Sequence, residues 1–340
     1  MLTVDSDRLV ASQQSVRRQV KALKNLFLKD KLNARQFKHA KKLIETPSAK
    51  LSKTQTSQKE IYIDLSQGSL NPRYLHAALN SIPTRDRLPP ASSPNLSPAP
   101  DSEIRQSTRS TFKAKHEKAA LGITLAKVPP GRYLRGSPPK ETGRSAAEHR
   151  HDVTISKGFW ISTTEISQKM WSELMDANPS RFKGENRPVD SVTWAEATEF
   201  CKRLSDLTDE IYRLPTEAEW EYSCRAGTIT PFHGESLTKV GWYARNSDKK
   251  THSIALKAKN ALGLYDMHGN VAEWCQDFDG AYPSKGASTT DPLQKTFSRK
   301  RIVRGGSFIM QADNCRSASR LSVKPSTRFM GIGFRVVRED

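Results

Sequence analysis

Glu217 and Glu221 stand four residues apart in the run Arg213-Leu214-Pro215-Thr216-Glu217-Ala218-Glu219-Trp220-Glu221-Tyr222. Side chains at that spacing share a helix face, so two carboxylates there could divide acid and base work between them. A structural account is simpler. Thr216 caps a helix, Glu219 three residues on completes a capping box, and Trp220 turns to the core. Acidic residues in the first turn also suit the helix dipole. His149 and His151, at i and i+2, would share a strand face and could bind a metal, but no third ligand lies nearby in sequence. A polar strand edge is the alternative. Cys201, Cys224, Cys275 and Cys315 are too few for a disulfide framework in 340 residues.

A second group lies in the last forty residues, 301–340. Gly305-Gly306 follows a short β-branched run, and paired glycines beside strand residues mark a tight turn or a close backbone approach. Arg304, Arg316, Arg320 and Arg328 are spread through an irregular segment around the lone Cys315. One guanidinium can bond several carbonyls, so these arginines are expected to pin that segment.

Four phrases here resemble the C-terminus of the formylglycine-generating enzyme (sulfatase-modifying factor) family. They are Arg304-Gly305-Gly306-Ser307-Phe308, Arg316-Ser317-Ala318-Ser319-Arg320, Pro325 with Arg328, and Gly333-Phe334-Arg335-Val336. Upstream, Gly136-Ser137, Glu165-Ile166-Ser167, Pro188 to Trp194, Arg213 to Tyr222 and Gly263 to Trp274 agree in the family's order. The resemblance covers about residues 121–340. It implies an α+β, loop-rich domain of C-type-lectin-like fold.

It also implies a chemistry. In the aerobic enzyme two cysteines after the Gly-Gly-Ser phrase bind copper(I), which soft thiolates hold well, and a substrate cysteine becomes formylglycine. In this chain the first position falls at Met310. The second falls at Cys315 or, with the gap placed differently, at no cysteine. A thiol and a thioether substitute poorly for two thiolates, so the oxidase is expected to be lost. Cys201 and Cys224 match positions bridged in secretory-pathway relatives. The partner of Cys201 would be Val336, which excludes that bridge, and the partner of Cys224 falls at Cys315 or Ser317. The Gly263 to Trp274 motif lies at a calcium site in the family. Carried over, the ligands are Gly269, Asn270 and Val271, with Glu273 as the charged one, and hard oxygen donors of this kind suit calcium. The same residues could instead tie loops together by hydrogen bonds. Asn246 corresponds to part of a second site, without a partner carboxylate.

Two functions are expected from this. The first is a non-catalytic module that binds an unknown protein or peptide through the segment Phe308 to Met330. In some relatives that segment displays diversified ligand-binding residues, and loops on a fixed scaffold are a usual place for recognition. Its candidate contacts are Phe308, Met310, Gln311, Asp313, Leu321, Lys324 and Phe329. The second is a metal-dependent oxidoreductase of the formylglycine-generating type acting on a protein cysteine, with Cys315 catalytic and copper as its metal. A relative branch with an iron site is disfavoured, because the N-terminal region lacks an H-x-x-x-H-x-E pattern.

Elements must hold these residues. Ile123 to Val128 and Arg132 to Gly136 read as a hairpin turning at Pro129-Pro130-Gly131, followed by a strand from His149 to Ile155. Thr163 or Thr164 is expected to cap a helix through Trp171 and Leu174. The next helix should turn Ala197, Phe200, Cys201 and Leu204 inward.

Ahead of this domain, set at 119–340, the chain reads as a basic helical hairpin (1–46), a short strand–helix segment (47–80) and a Pro/Ser-rich linker (81–118). The formal net charge is +19 and the isoelectric point about 9.8. That balance favours an acidic partner, or self-association of the hairpin to cover its apolar face. Nucleic acid is the weaker reading, since no aromatic residues interleave the basic ones and no base-reading motif is present. No apolar run is long enough to span a membrane, and Met1 to Val20 lacks a secretory h-region. With the cysteine usage, this points to a cytoplasmic, bacterial-type protein with reduced thiols.

Overall fold

A computed structural model of the chain describes residues 114–283 and 287–340. The expected hairpin at 1–46, the segment at 47–80 and nearly all of the expected linker lie outside the described residues. The described part is α+β, with many short strands and little helix.

Strands β1 (His116–Lys118), β2 (Thr124–Val128), β5 (Phe159–Ser162), β12 (Val337–Glu339) and β6 (Tyr212–Arg213) form one sheet in the order β1-β2-β5-β12-β6. The last strand therefore lies inside the sheet, with Val337 opposite both Ile161 and Arg213. A second sheet runs β10 (Arg320–Val323), β9 (Arg301–Arg304), β7 (Ala272–Phe278), β11 (Ile332–Gly333). A third holds β3 (Gly131–Arg135), β4 (His151–Ile155) and β8 (Ser288–Thr290).

Helix α1 spans Gln168–Leu174, α2 Trp194–Thr208, α3 Glu217–Arg225 and α4 Leu237–Val240. In α2 the residues Ala197, Phe200, Cys201, Leu204 and Leu207 are buried, one face at helical spacing as expected. Helix α3 begins with the expected capping box. The Thr216 hydroxyl accepts from the Glu219 amide at 3.1 Å, and the Glu219 carboxylate accepts from the Thr216 amide at 2.8 Å. Trp220 packs in a core with Ala126, Phe159, Ile161, Leu264 and Ile302. Beside it Trp171 stacks on Phe200 at 5.7 Å, and Phe334 meets both rings edge-on.

Four expectations need correction. The strands β2 and β3 exist but are no hairpin: β2 pairs with β1 and β5, and β3 pairs with β4 in another sheet. Pro129 and Pro130 bring no N–H to a two-strand ladder, so the chain crosses between sheets there. Helix α1 is capped by Ser167 rather than Thr163 or Thr164. The Thr163 backbone is held in strand-like bonds to Thr124 and Tyr265, which leaves it unable to open a helix. The first sheet begins at His116, inside the span read as linker. The C-terminal segment is more regular than expected, with a 3₁₀ turn at Ala312–Cys315 and strand β10 after it.

Candidate functional site

The C-terminal arginines pin the segment by carboxylates as well as carbonyls. Arg304, 1% exposed, donates to Glu217 at 3.1 Å, to Glu221 at 2.5 Å and to the carbonyls of Ser317 and Ala318 at 2.7 and 3.3 Å. Arg320 forks onto both oxygens of Glu217 at 2.9 Å, and Arg135 from β3 reaches the same carboxylate at 2.9 Å. Tyr282 donates to Glu217 at 3.0 Å and lies against both the Arg135 and Arg320 guanidiniums at 4.2 Å. Burial alone would raise the Glu217 pKa, but Arg135, Arg320 and Arg304 outweigh it and hold it at about 2. Glu221, bonded by Arg225 and Arg304, is lowered against the same burial penalty. Neither carboxylate has a free oxygen to take or give a proton at neutral pH. The pair is a cationic anchor's counter-charge and not an acid–base dyad. Arg316 pins the 3₁₀ turn in the same way, on Glu148 at 2.9 Å through two bonds and on Glu141 at 2.6 Å.

The glycine pair is required by this packing. Gly306 has φ +69°, and a Cβ on it would stand 2.6 Å from the Cys315 sulfur and 2.7 Å from the Asn314 carbonyl. Cys315 is fully buried, and burial pushes its thiol up to about 12. All four cysteines are free and buried. The Cys224 sulfur faces the Ser317 hydroxyl at 3.6 Å, so the position expected to pair with it is Ser317, not Cys315. His268 braces the turn: its Nδ1 bonds the Cys315 carbonyl at 2.8 Å and its Nε2 accepts from the His233 amide at 3.2 Å. Burial and the neighbouring His233 lower the His268 pKa to about 3, so the ring is neutral. A single thiol, enclosed and protonated, with a thioether at Met310, does not fit the bis-thiolate that copper(I) needs.

The Gly263 to Trp274 motif ties loops. Both oxygens of Glu273 accept from Arg335, at 2.6 and 2.7 Å, and one also accepts from the Trp220 indole at 2.7 Å. Asn270, at φ +58°, accepts from the His252 amide at 2.9 Å and donates to Glu165 at 2.7 Å. Its carbonyl accepts from the Phe308 amide, and Val271 gives its N–H to Glu165 at 2.9 Å. Gly269 holds φ +109°, and its amide donates to the Gly305 carbonyl. With the one anionic ligand clamped by a guanidinium, this set does not fit a calcium ion, and hydrogen-bonded loop tying is what the residues do. His149 and His151 are likewise no metal pair: His149 is exposed, and its carbonyl accepts from the ring of the buried His151 at 2.9 Å.

The expected contact residues separate. Phe308 is fully buried, edge-on to Phe182 at 5.5 Å, so it belongs to the core and not to a recognition surface. Met310 is half-buried, whereas Gln311 and Asp313 stand exposed on the 3₁₀ turn. Leu321 is half-buried in β10, Lys324 is exposed, and Phe329 is half-buried. These last three follow a backbone docked beside α2, through Trp194 to the Pro325 carbonyl and Ser191 to the Phe329 carbonyl. Sequence reading missed Arg135, Glu148, Tyr282 and His268. Arg135, Glu148 and Tyr282 stand at no spacing that marks them, whereas His268 lies inside the Gly263 to Trp274 motif, which was read for its oxygen ligands and not for its imidazole.

Sheets linked by long loops, a terminal strand sewn into the first sheet and a segment pinned by buried arginines define a C-type-lectin-like domain of the formylglycine-generating kind. Residues 110–340 match the "Sulfatase-modifying factor enzyme 1-like domain", and the chain belongs to that family. Among its relatives is the "Chaperone protein LppX" of Paenibacillus barcinonensis, 30% identical over 223 residues, covering 50% of this chain and 75% of that protein. The formylglycine-generating enzyme of Streptomyces coelicolor is 32% identical over 201 residues, covering 53% of this chain but only 61% of the enzyme. The solved "Treponema denticola variable protein 1" superposes with a TM-score of 0.61 at 28% identity, over 68% of this chain and all of that one.

Proposed function

We propose that this chain is a non-catalytic member of the family that binds a protein or peptide ligand through the exposed part of its C-terminal segment. The enclosed Cys315, with no second thiol in position beside it, is the observation that carries the reading. The arginine anchors add to it. They fix the backbone of a segment whose exposed side chains Gln311, Asp313 and Lys324 form no hydrogen bond or ion pair among the described residues, Asp313 lying against Gly143. A fixed backbone with uncommitted side chains is suited to recognition, because little conformational entropy is lost on binding. Four unpaired thiols suit a reducing compartment, and we place the protein in the cytoplasm on that ground.

The test compares three proteins: the wild type, C315S and the surface triple Q311A/D313A/K324A. A partner that co-purifies with the wild type should stay with C315S and be lost from the triple variant at unchanged thermal stability. Conversion of a peptide cysteine to an aldehyde by the copper(I)-loaded chain would overturn the reading.

A further inference from the structure

A groove of about 520 Å³ lies between α2, the end of β7, the start of β9 and residues 293–295, and the proposal above does not use it. Arg301 lines it, with Trp194 and Phe278. Its guanidinium lies 3.9 Å from the Trp194 ring centre and 3.4 Å from the Phe278 ring centre. Phe297, 78% exposed, meets Phe278 edge-on at 5.5 Å and extends this aromatic floor into solvent.

Arg301 differs from the buried arginines of this domain. Arg135, Arg225, Arg304, Arg316, Arg320 and Arg335 each hold a carboxylate. Arg301 has none within ion-pair distance among the described residues. Its one hydrogen bond there runs from Nη1 to the Gln276 carbonyl, which leaves Nε and Nη2 unspent. Burial lowers its pKa, and the Asp277 carboxylate, outside ion-pair distance, opposes that only in part. Lys202 and Lys295 add exposed cations to the groove, against Asp206 as its one acidic residue. The planar guanidinium is held on aromatic faces, so its orientation is restricted and it is partly dehydrated. That arrangement strengthens a forked bond to a carboxylate.

We propose that this groove binds an apolar peptide segment carrying a carboxylate. The carboxylate would sit on Nε and Nη2 of Arg301, and the adjoining apolar side chain on Trp194 and Phe297. A peptide suits the site because its aromatic rim is open to solvent, as at protein interfaces anchored by aromatic and arginine residues.

The experiment titrates full-length chain with two probes, acetyl-Phe-Glu amide and its isostere acetyl-Phe-Gln amide, and follows the Trp194 indole and Arg301 Nε–H resonances. Saturable shifts at both groups are expected with the glutamyl probe, with at least tenfold weaker binding of the glutaminyl one. R301Q should lose the preference. R301K, which keeps the charge without the fork, should bind several-fold more weakly than wild type. R245Q, at an exposed arginine outside the groove lining, should behave as wild type. Equal shifts with the two probes, no shifts at either group, or full binding by an R301Q protein of unchanged melting temperature would overturn the proposal.

Discussion

Three guanidiniums converge on the buried Glu217, and its removal should be costly. Replacing it strands the guanidiniums of Arg135, Arg304 and Arg320 in a buried site. Breaking a buried ion pair from one side costs about 3–5 kcal/mol, so E217Q should lose stability of that order in urea unfolding at pH 7. The pH dependence follows from the sign of the shift. Glu217 is lowered from 4.5 to about 2, so its contribution is full above 4.5 and is lost as the pH falls toward 2. Asp266 runs the other way. Burial raises it from 3.8 to about 6, so its contribution is full below 3.8 and is lost as the pH rises through 6. E217Q should therefore flatten the acid limb of the stability curve, and D266N should flatten the decline between about pH 4 and 6. Unfolding midpoints measured across that range check both, and unchanged slopes would contradict the assignment.

At the scale of elements, local sequence decided most where one short run supplied every partner. The box that opens α3 needs only Thr216 and Glu219. T216A should cost about 1 kcal/mol, read as a shift in the urea midpoint at unchanged slope. The inward face of α2 was legible for the same reason, since its period lies within one element. Elements failed to be legible where the partner was distant. Nothing local showed that the chain leaves one sheet for another at Pro129-Pro130. Nothing local showed that Thr163 was already claimed by Thr124 and Tyr265. The 3₁₀ turn and β10 were hidden because their fixing contacts come from Glu141, Glu148 and β9.

At the scale of the whole molecule, the topology makes the C-terminus a structural requirement. Strand β12 lies between β5 and β6, and Arg335 just before it clamps Glu273. Deleting residues 335–340 should abolish the cooperative thermal transition, measured by circular dichroism. A truncated chain that still melts sharply near the wild-type temperature would contradict this.

The sequence by itself determined the family, the capping box of α3 and the incomplete thiol pair, because each is written in residues whose identity is enough to state it. Only the tertiary structure decided what the charged motif residues are for. Glu217, Glu221 and Glu273 have the residue types of a catalytic or metal site, yet each meets a buried guanidinium from the C-terminal stretch, between 62 and 103 residues further along the chain. A carboxylate's role is set by which charge stands within about 3 Å of it. That distance is fixed by how the sheets pack, and local sequence does not carry it.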